Sequence, residues 1–183
     1  MPTWIDRNEA LVRIRAEGGD FSCLMCALRD GRFGPLFLLH QDDRALVLLP
    51  RYVRRWGHVL VLLREHLTNF SAMAEDDWLH LNRLAHRSAR AIEGTLAPRR
   101  CYLASTGSSG GELTQSSEHM HIHIIPIADP DDRPAAVFSW QDGISVGSDD
   151  ELTALRDRYA GAWNAIPLIG GGAQGSGVAP EVP

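Results

Sequence analysis

A chain of 183 residues is long enough for one well-filled core and short for two, and 44% hydrophobic with 22% charged residues excludes disorder of the whole chain. A formal net charge of −5 excludes general, charge-driven binding to nucleic acid, which needs a basic surface. The longest apolar runs, Ala45 to Leu49 and Val59 to Leu63, fall far short of the roughly 20 residues of a membrane span, and with acidic Asp6 and Glu9 near the start and no apolar run there, no signal peptide is expected.

Asp6-x-x-Glu9 ahead of Ala10, Leu11 and Ile14 predicts a short capped helix closed by Gly18-Gly19. Cys23 and Cys26 follow, spaced as metal or redox ligands rather than as a secreted disulfide framework. The expected home is therefore a reducing cytoplasm. Leu36 to His40 and Ala45 to Leu49, joined by Gln41-Asp42-Asp43-Arg44, predict a β-hairpin, and Val59 to Leu63 a third strand entered through Trp56-Gly57. Arg51, Arg54 and Arg55 are expected on a solvated surface, with steering of a phosphate as the alternative.

Helical spacing of Trp78, Leu81, Ala85, Ala89, Ile92 and Leu96 predicts the main helix over Ala74 to Leu96, with Glu75, Asp76 and Asp77 favouring its first turn. His80 and His86 fall outside its apolar stripe and are expected in solvent, while His40 ends a strand with no evident partner. Arg100 to Ser105 and His119 to Pro126 give two more strands, separated by the Gly/Ser-rich stretch Thr106 to Ser117. Asp129 to Asp132 reads as a loop, Val137 to Gly143 as a candidate wall of a site, and Ser148-x-x-Glu151 as the start of a second capped helix ending near Trp163. Residues 167–183, rich in Gly and Pro, are expected to be disordered, which leaves one domain over 1–166. Five short strands with one long helix between the third and fourth imply an α+β fold around an antiparallel five-stranded sheet, with the second helix at its C-terminal end.

The most informative segment is His119-Met120-His121-Ile122-His123-Ile124-Ile125, because strand alternation sends three imidazoles to one face and the apolar residues to the other. Each ring carries a donor and an acceptor that need partners, so a merely solvated face is a poor use of three histidines. His-x-His on a strand is also how several hydrolases hold a catalytic ion, but no acidic residue stands at the next alternate position and none downstream completes such a set. Cys23 and Cys26 admit a zinc site, a redox pair or two buried thiols; no βαβ pattern of the thioredoxin kind follows them.

The histidine strand resembles the signature of the histidine-triad (HIT) superfamily. Gln115-Ser116 upstream, Gly57-His58-Val59-Leu60-Val61 with Arg64-Glu65-His66, and Cys23-x-x-Cys26 agree with it in order over about residues 21–127, the last in the manner of the zinc-bearing bacterial-type branch. The resemblance implies a HIT-like fold and a covalent mechanism in which His121 attacks the α-phosphorus of a nucleoside phosphoramidate, dinucleoside polyphosphate or related phosphoester. His123 is then expected beside the phosphate oxygens and His58 at the same pocket, with Gln115 and Ser116 binding substrate. It also implies a structural zinc on Cys23, Cys26, His66 and His119, and a homodimer. Two positions depart from the pattern: Leu63 replaces a usual Pro, and Pro50 stands where many members carry an Asp for the ribose hydroxyls. A non-catalytic nucleotide- or phosphate-binding module is the alternative, favoured by Pro50 and disfavoured by the three retained histidines.

Overall fold

The computed structural model describes residues 2–105 and 118–166. The chain runs β1 (Thr3–Ile5), α1 (Arg7–Gly18), α2 (Leu24–Arg29), β2 (Phe37–Gln41), β3 (Ala45–Leu49), β4 (Tyr52–Val53) and β5 (Val59–Leu63). It continues through α3 (Glu75–Leu96), β6 (Arg100–Ala104), β7 (His121–Ile127), α4 (Pro134–Ser139), β8 (Ile144–Val146) and α5 (Asp149–Ala165). Both expected caps form: Asp6 accepts from the backbone of Asn8 and Glu9, and Ser148 and Glu151 close a reciprocal capping box.

The expected α+β sheet is present, antiparallel, in the order β2-β3-β5-β7-β6. Its inner strands are buried at every position because both faces are covered. Val47, Val61, Ile122 and Ile124 face α3 and α5, together with Leu81, Ile92, Leu152 and Tyr159. Leu46, Leu48, Leu60 and Leu62 face the opposite way, against Cys23 and Met25. Leu60 pairs with His123 and Leu62 with His121, so both imidazoles share this second face.

Several expectations are corrected. A second sheet, in the order β1-β8-β4, pairs the N-terminal strand and β4 with β8. Its strands of two or three residues are too short for a periodicity signal. α2 and α4 are helices not anticipated from the sequence. His119 lies ahead of β7 rather than within it, and the histidine face is not open: His119, His121 and His123 are 0%, 4% and 5% exposed. His80 and His40 are not free in solvent. Both Nε2–H groups reach Asp42 Oδ2, at 2.8 and 3.0 Å, and His40 stacks on Trp163. Burial alone raises the Asp42 pKa, but hydrogen bonds from His40, the backbone of Arg44 and Ala45, and His80 outweigh it and hold the carboxyl well below its usual range. His86 is exposed as expected, and no helix among the described residues is long and apolar enough to cross a membrane.

Gly57 shows why the turn before the third strand of the main sheet needs glycine. Its φ is +91°, and a Cβ there would stand 2.5 Å from Leu96 Cδ1 and 2.6 Å from the Tyr159 hydroxyl, which itself donates to the Gly57 carbonyl at 2.8 Å. Gly57→Ala is expected to destabilise the protein by about 2–4 kcal/mol, adding a left-handed penalty to overpacking. Urea unfolding checks this as a lower midpoint at unchanged slope. A midpoint equal to wild type would show that the turn relaxes freely.

Candidate functional site

The site is assembled where β5 and β7 run side by side, with His58 just ahead of β5 and His119 just ahead of β7. His121 Nδ1 lies 2.5 Å from the His119 carbonyl oxygen. A carbonyl only accepts, so the proton of neutral His121 sits on Nδ1 and its Nε2 carries a bare lone pair. That Nε2 lies 3.0 Å from His123 Nε2, which must therefore be the donor. His123 Nδ1 is left as an acceptor, and it meets His58 Nε2 at 3.0 Å and the Arg54 guanidinium Nη1 at 3.3 Å. Every tautomer along the line follows from one carbonyl.

Electrostatics keep this line neutral. Burial first, then the Arg54 cation, hold His123 and His58 well below the ordinary imidazole value. Burial likewise pushes His121 down to about 4, against its bond to the His119 carbonyl. Neutral imidazole is the nucleophilic form, and at neutral pH nothing has to be deprotonated first.

His119 also joins the site to a second cluster. Its Nε2–H donates to the Leu63 carbonyl at 2.7 Å, turning a bare Nδ1 toward Cys23 Sγ at 3.5 Å and Cys26 Sγ at 3.4 Å. His66 Nδ1 is 3.3 Å from Cys26 Sγ, and one ligand atom of each of the four residues lies within 4.8 Å of the others. A tetrahedral zinc with bonds of about 2.0–2.3 Å sets its ligand atoms roughly 3.3–3.8 Å apart, so these residues fit the ion. Burial, and then the adjacent Cys23, raise the Cys26 thiol pKa, a cost that a cation between the sulfurs relieves.

Of the residues singled out in the sequence, His58, His121 and His123 are brought together, as are Cys23, Cys26, His66 and His119. Gln115 and Ser116 lie outside the described residues, as does the expected disordered tail. Pro50 is buried after β3 and offers no polar side chain. The expected solvated arginines are all engaged: Arg51 pairs with Asp149, and Arg55 with Asp132 through an Nε to Oδ2 bond of 2.7 Å. Arg54 is 8% exposed and lies under the rings of Phe138 and Trp140. Its adjacency to Gly57-His58 was the signal available in the sequence, but two neighbouring arginines with other duties share that signal.

A family model for the HIT domain matches residues 34–129. An uncharacterized HIT-like protein of Saccharolobus solfataricus is 30% identical over 112 residues, 60% of this chain and 78% of that protein. A hypothetical histidine triad nucleotide-binding protein from Sulfolobus tokodaii superposes with a TM-score of 0.61 at 20% identity, covering 78% of this chain and 92% of that one. A Zn-bound histidine triad family protein from Mycobacterium smegmatis does so with a TM-score of 0.53 at 22% identity, covering 77% and 97%.

Nitrogen-15 shifts of the ligand-free protein near pH 7 are expected to show His121 protonated on Nδ1 and His123 on Nε2. A proton on His121 Nε2 would break the tautomer assignment.

Proposed function

The chain belongs to the HIT domain family, and from that premise we propose that it is a nucleotidyl hydrolase or transferase working through a covalent nucleotidyl-histidine. The observation that carries this reading is the 2.5 Å contact of His121 Nδ1 with the His119 carbonyl, which leaves Nε2 as the nucleophile. In the proposed reaction the Nε2 lone pair forms a bond to the α-phosphorus, and the phosphorus–leaving-group bond breaks with its electron pair going to the leaving group. His121 becomes a cation, carrying phosphorus on Nε2 and hydrogen on Nδ1, and the His119 carbonyl stabilises it. His123 Nε2–H, which faces His121 in the free protein, turns to a phosphoryl oxygen and stabilises the charge that builds there. Water then attacks phosphorus and gives up a proton, and His121 departs as neutral imidazole; an alcohol or phosphate in place of water makes the reaction a transfer.

The substrates expected are a nucleoside phosphoramidate, a dinucleoside polyphosphate or a related phosphoester. The Sulfolobus tokodaii relative, described as nucleotide-binding, supports this class. The four-residue cluster is proposed to hold one structural zinc, supported by its spacing and by the zinc-bound relative. With four protein ligands the ion supplies rigidity rather than a reactive position. What the chain's own residues gain is a fixed His119, and with it a fixed carbonyl for His121.

His121→Ala is expected to abolish turnover of adenosine phosphoramidate and diadenosine polyphosphates while leaving the fold intact by circular dichroism. Activity within about tenfold of wild type would remove His121 from the role of nucleophile, since losing a nucleophile costs far more. Binding of nucleotide with no turnover by the wild-type protein would select the non-catalytic module instead.

Protein purified without chelators is expected to contain about one zinc per chain by elemental analysis. Replacing Cys23 and Cys26 by Ser should remove the metal and lower the melting temperature, because the ion ties the α2 turn to the sheet. Metal-free wild-type protein with the same melting curve as the double variant would refute the site.

A further inference from the structure

Arg54 is a buried cation without a carboxylate partner among the described residues. Its guanidinium is held by one hydrogen bond to His123 Nδ1 and lies 5.7 and 5.8 Å from the ring centres of Phe138 and Trp140. Its Nε, fully enclosed, has no hydrogen-bond partner. Burial lowers its pKa only to about 10, so it remains charged at neutral pH. Leaving a charge in such a place costs folding free energy. By contrast, the neighbouring Arg51 and Arg55 both meet aspartates.

The surroundings of Arg54 are also built at a cost. Trp140 adopts a left-handed backbone conformation, with φ of +59°, and yet is only 5% exposed. A bulky non-glycine residue takes that conformation where the surrounding structure imposes it. Phe138 and Trp140 lie beyond the segment matched by the family model, so the aromatic bracket is contributed by the part of the chain that follows it.

We propose that Arg54 is the positioning residue of the phosphoryl site: its guanidinium holds His123 with the proton on Nε2, and, with no counter-ion among the described residues, it takes the phosphate of the substrate as one. The inference rests on the nucleotidyl-transfer reading and specifies its ligand as a phosphate monoester or diester anion. The cation acts through His123, which in the proposed reaction touches the phosphoryl oxygens, and so sets a permanent positive charge behind that donor where negative charge arrives. Water is excluded there, so the charge is poorly screened and acts strongly.

The test uses the full chain with its metal and two probes, AMP and adenosine, measured by calorimetry alongside turnover of adenosine phosphoramidate. Arg54→Met is expected to weaken AMP on the order of tenfold while leaving adenosine unchanged, since only AMP brings the anion. Turnover should fall on the order of tenfold to a hundredfold. The melting temperature should stay level or rise, because an apolar isostere removes an unpaired buried charge. Arg54→Lys, which keeps the charge, should restore most of the preference for AMP over adenosine.

Equal weakening of AMP and adenosine, with a lower melting temperature, would make Arg54 a structural residue and overturn the proposal, and so would unchanged AMP binding. Wild-type protein that binds AMP but turns over nothing would sink the catalytic reading alone, because the AMP and adenosine pair still reports on Arg54. Wild-type protein that binds neither probe would overturn both.

Discussion

The arrangement depends on one hydrogen bond, from His121 Nδ1–H to the carbonyl of His119. Because that oxygen can only accept, it settles where the His121 proton sits, which settles His123, which settles the direction of the contact with His58. The same residue turns its ring the other way, toward two thiols. His119 is thus at once the backbone support of His121 and a wall of the Cys/His cluster. A displacement of its peptide would disturb both.

The sheet makes this possible by being closed on both faces. One face packs against the long helix and α5, and the other receives the N-terminal turn at one end and α4 at the other. In that dry setting three imidazoles stay neutral and each proton has a defined place. The same three rings on a wet strand would exchange partners with water, and the order of donors and acceptors would be lost.

Much of this was legible in the sequence because its signals are local. The alternation of β7 placed His121 and His123 on one face, the 3.6-residue stripe gave α3, and Ser148-x-x-Glu151 gave the start of α5. The resemblance to a known family brought together Cys23, Cys26, His66 and His119, which no local pattern joins. What escaped depends on contacts between distant segments. Asp42 gathers His40 from its own hairpin and His80 from the long helix, a meeting that neither segment announces. In the sequence Arg54 looks like Arg51 and Arg55, and only the structure shows Phe138 and Trp140 closing over it. The three short strands β1, β4 and β8 have too few residues to show a period, and their pairing is long-range.

That small sheet also separates two ideas of where this protein's working part begins and ends. The family model matches residues 34–129 and includes every histidine of the hydrogen-bonded line. A fragment cut at those limits would keep His58, His121 and His123 and lose both thiols, the α4 cover over β7 and the aromatic bracket of Arg54. It would also lose β1 and β8, leaving β4 with no strand to pair with. The segment matched by the family model is therefore smaller than the set of elements that pairs β4 and closes over Arg54.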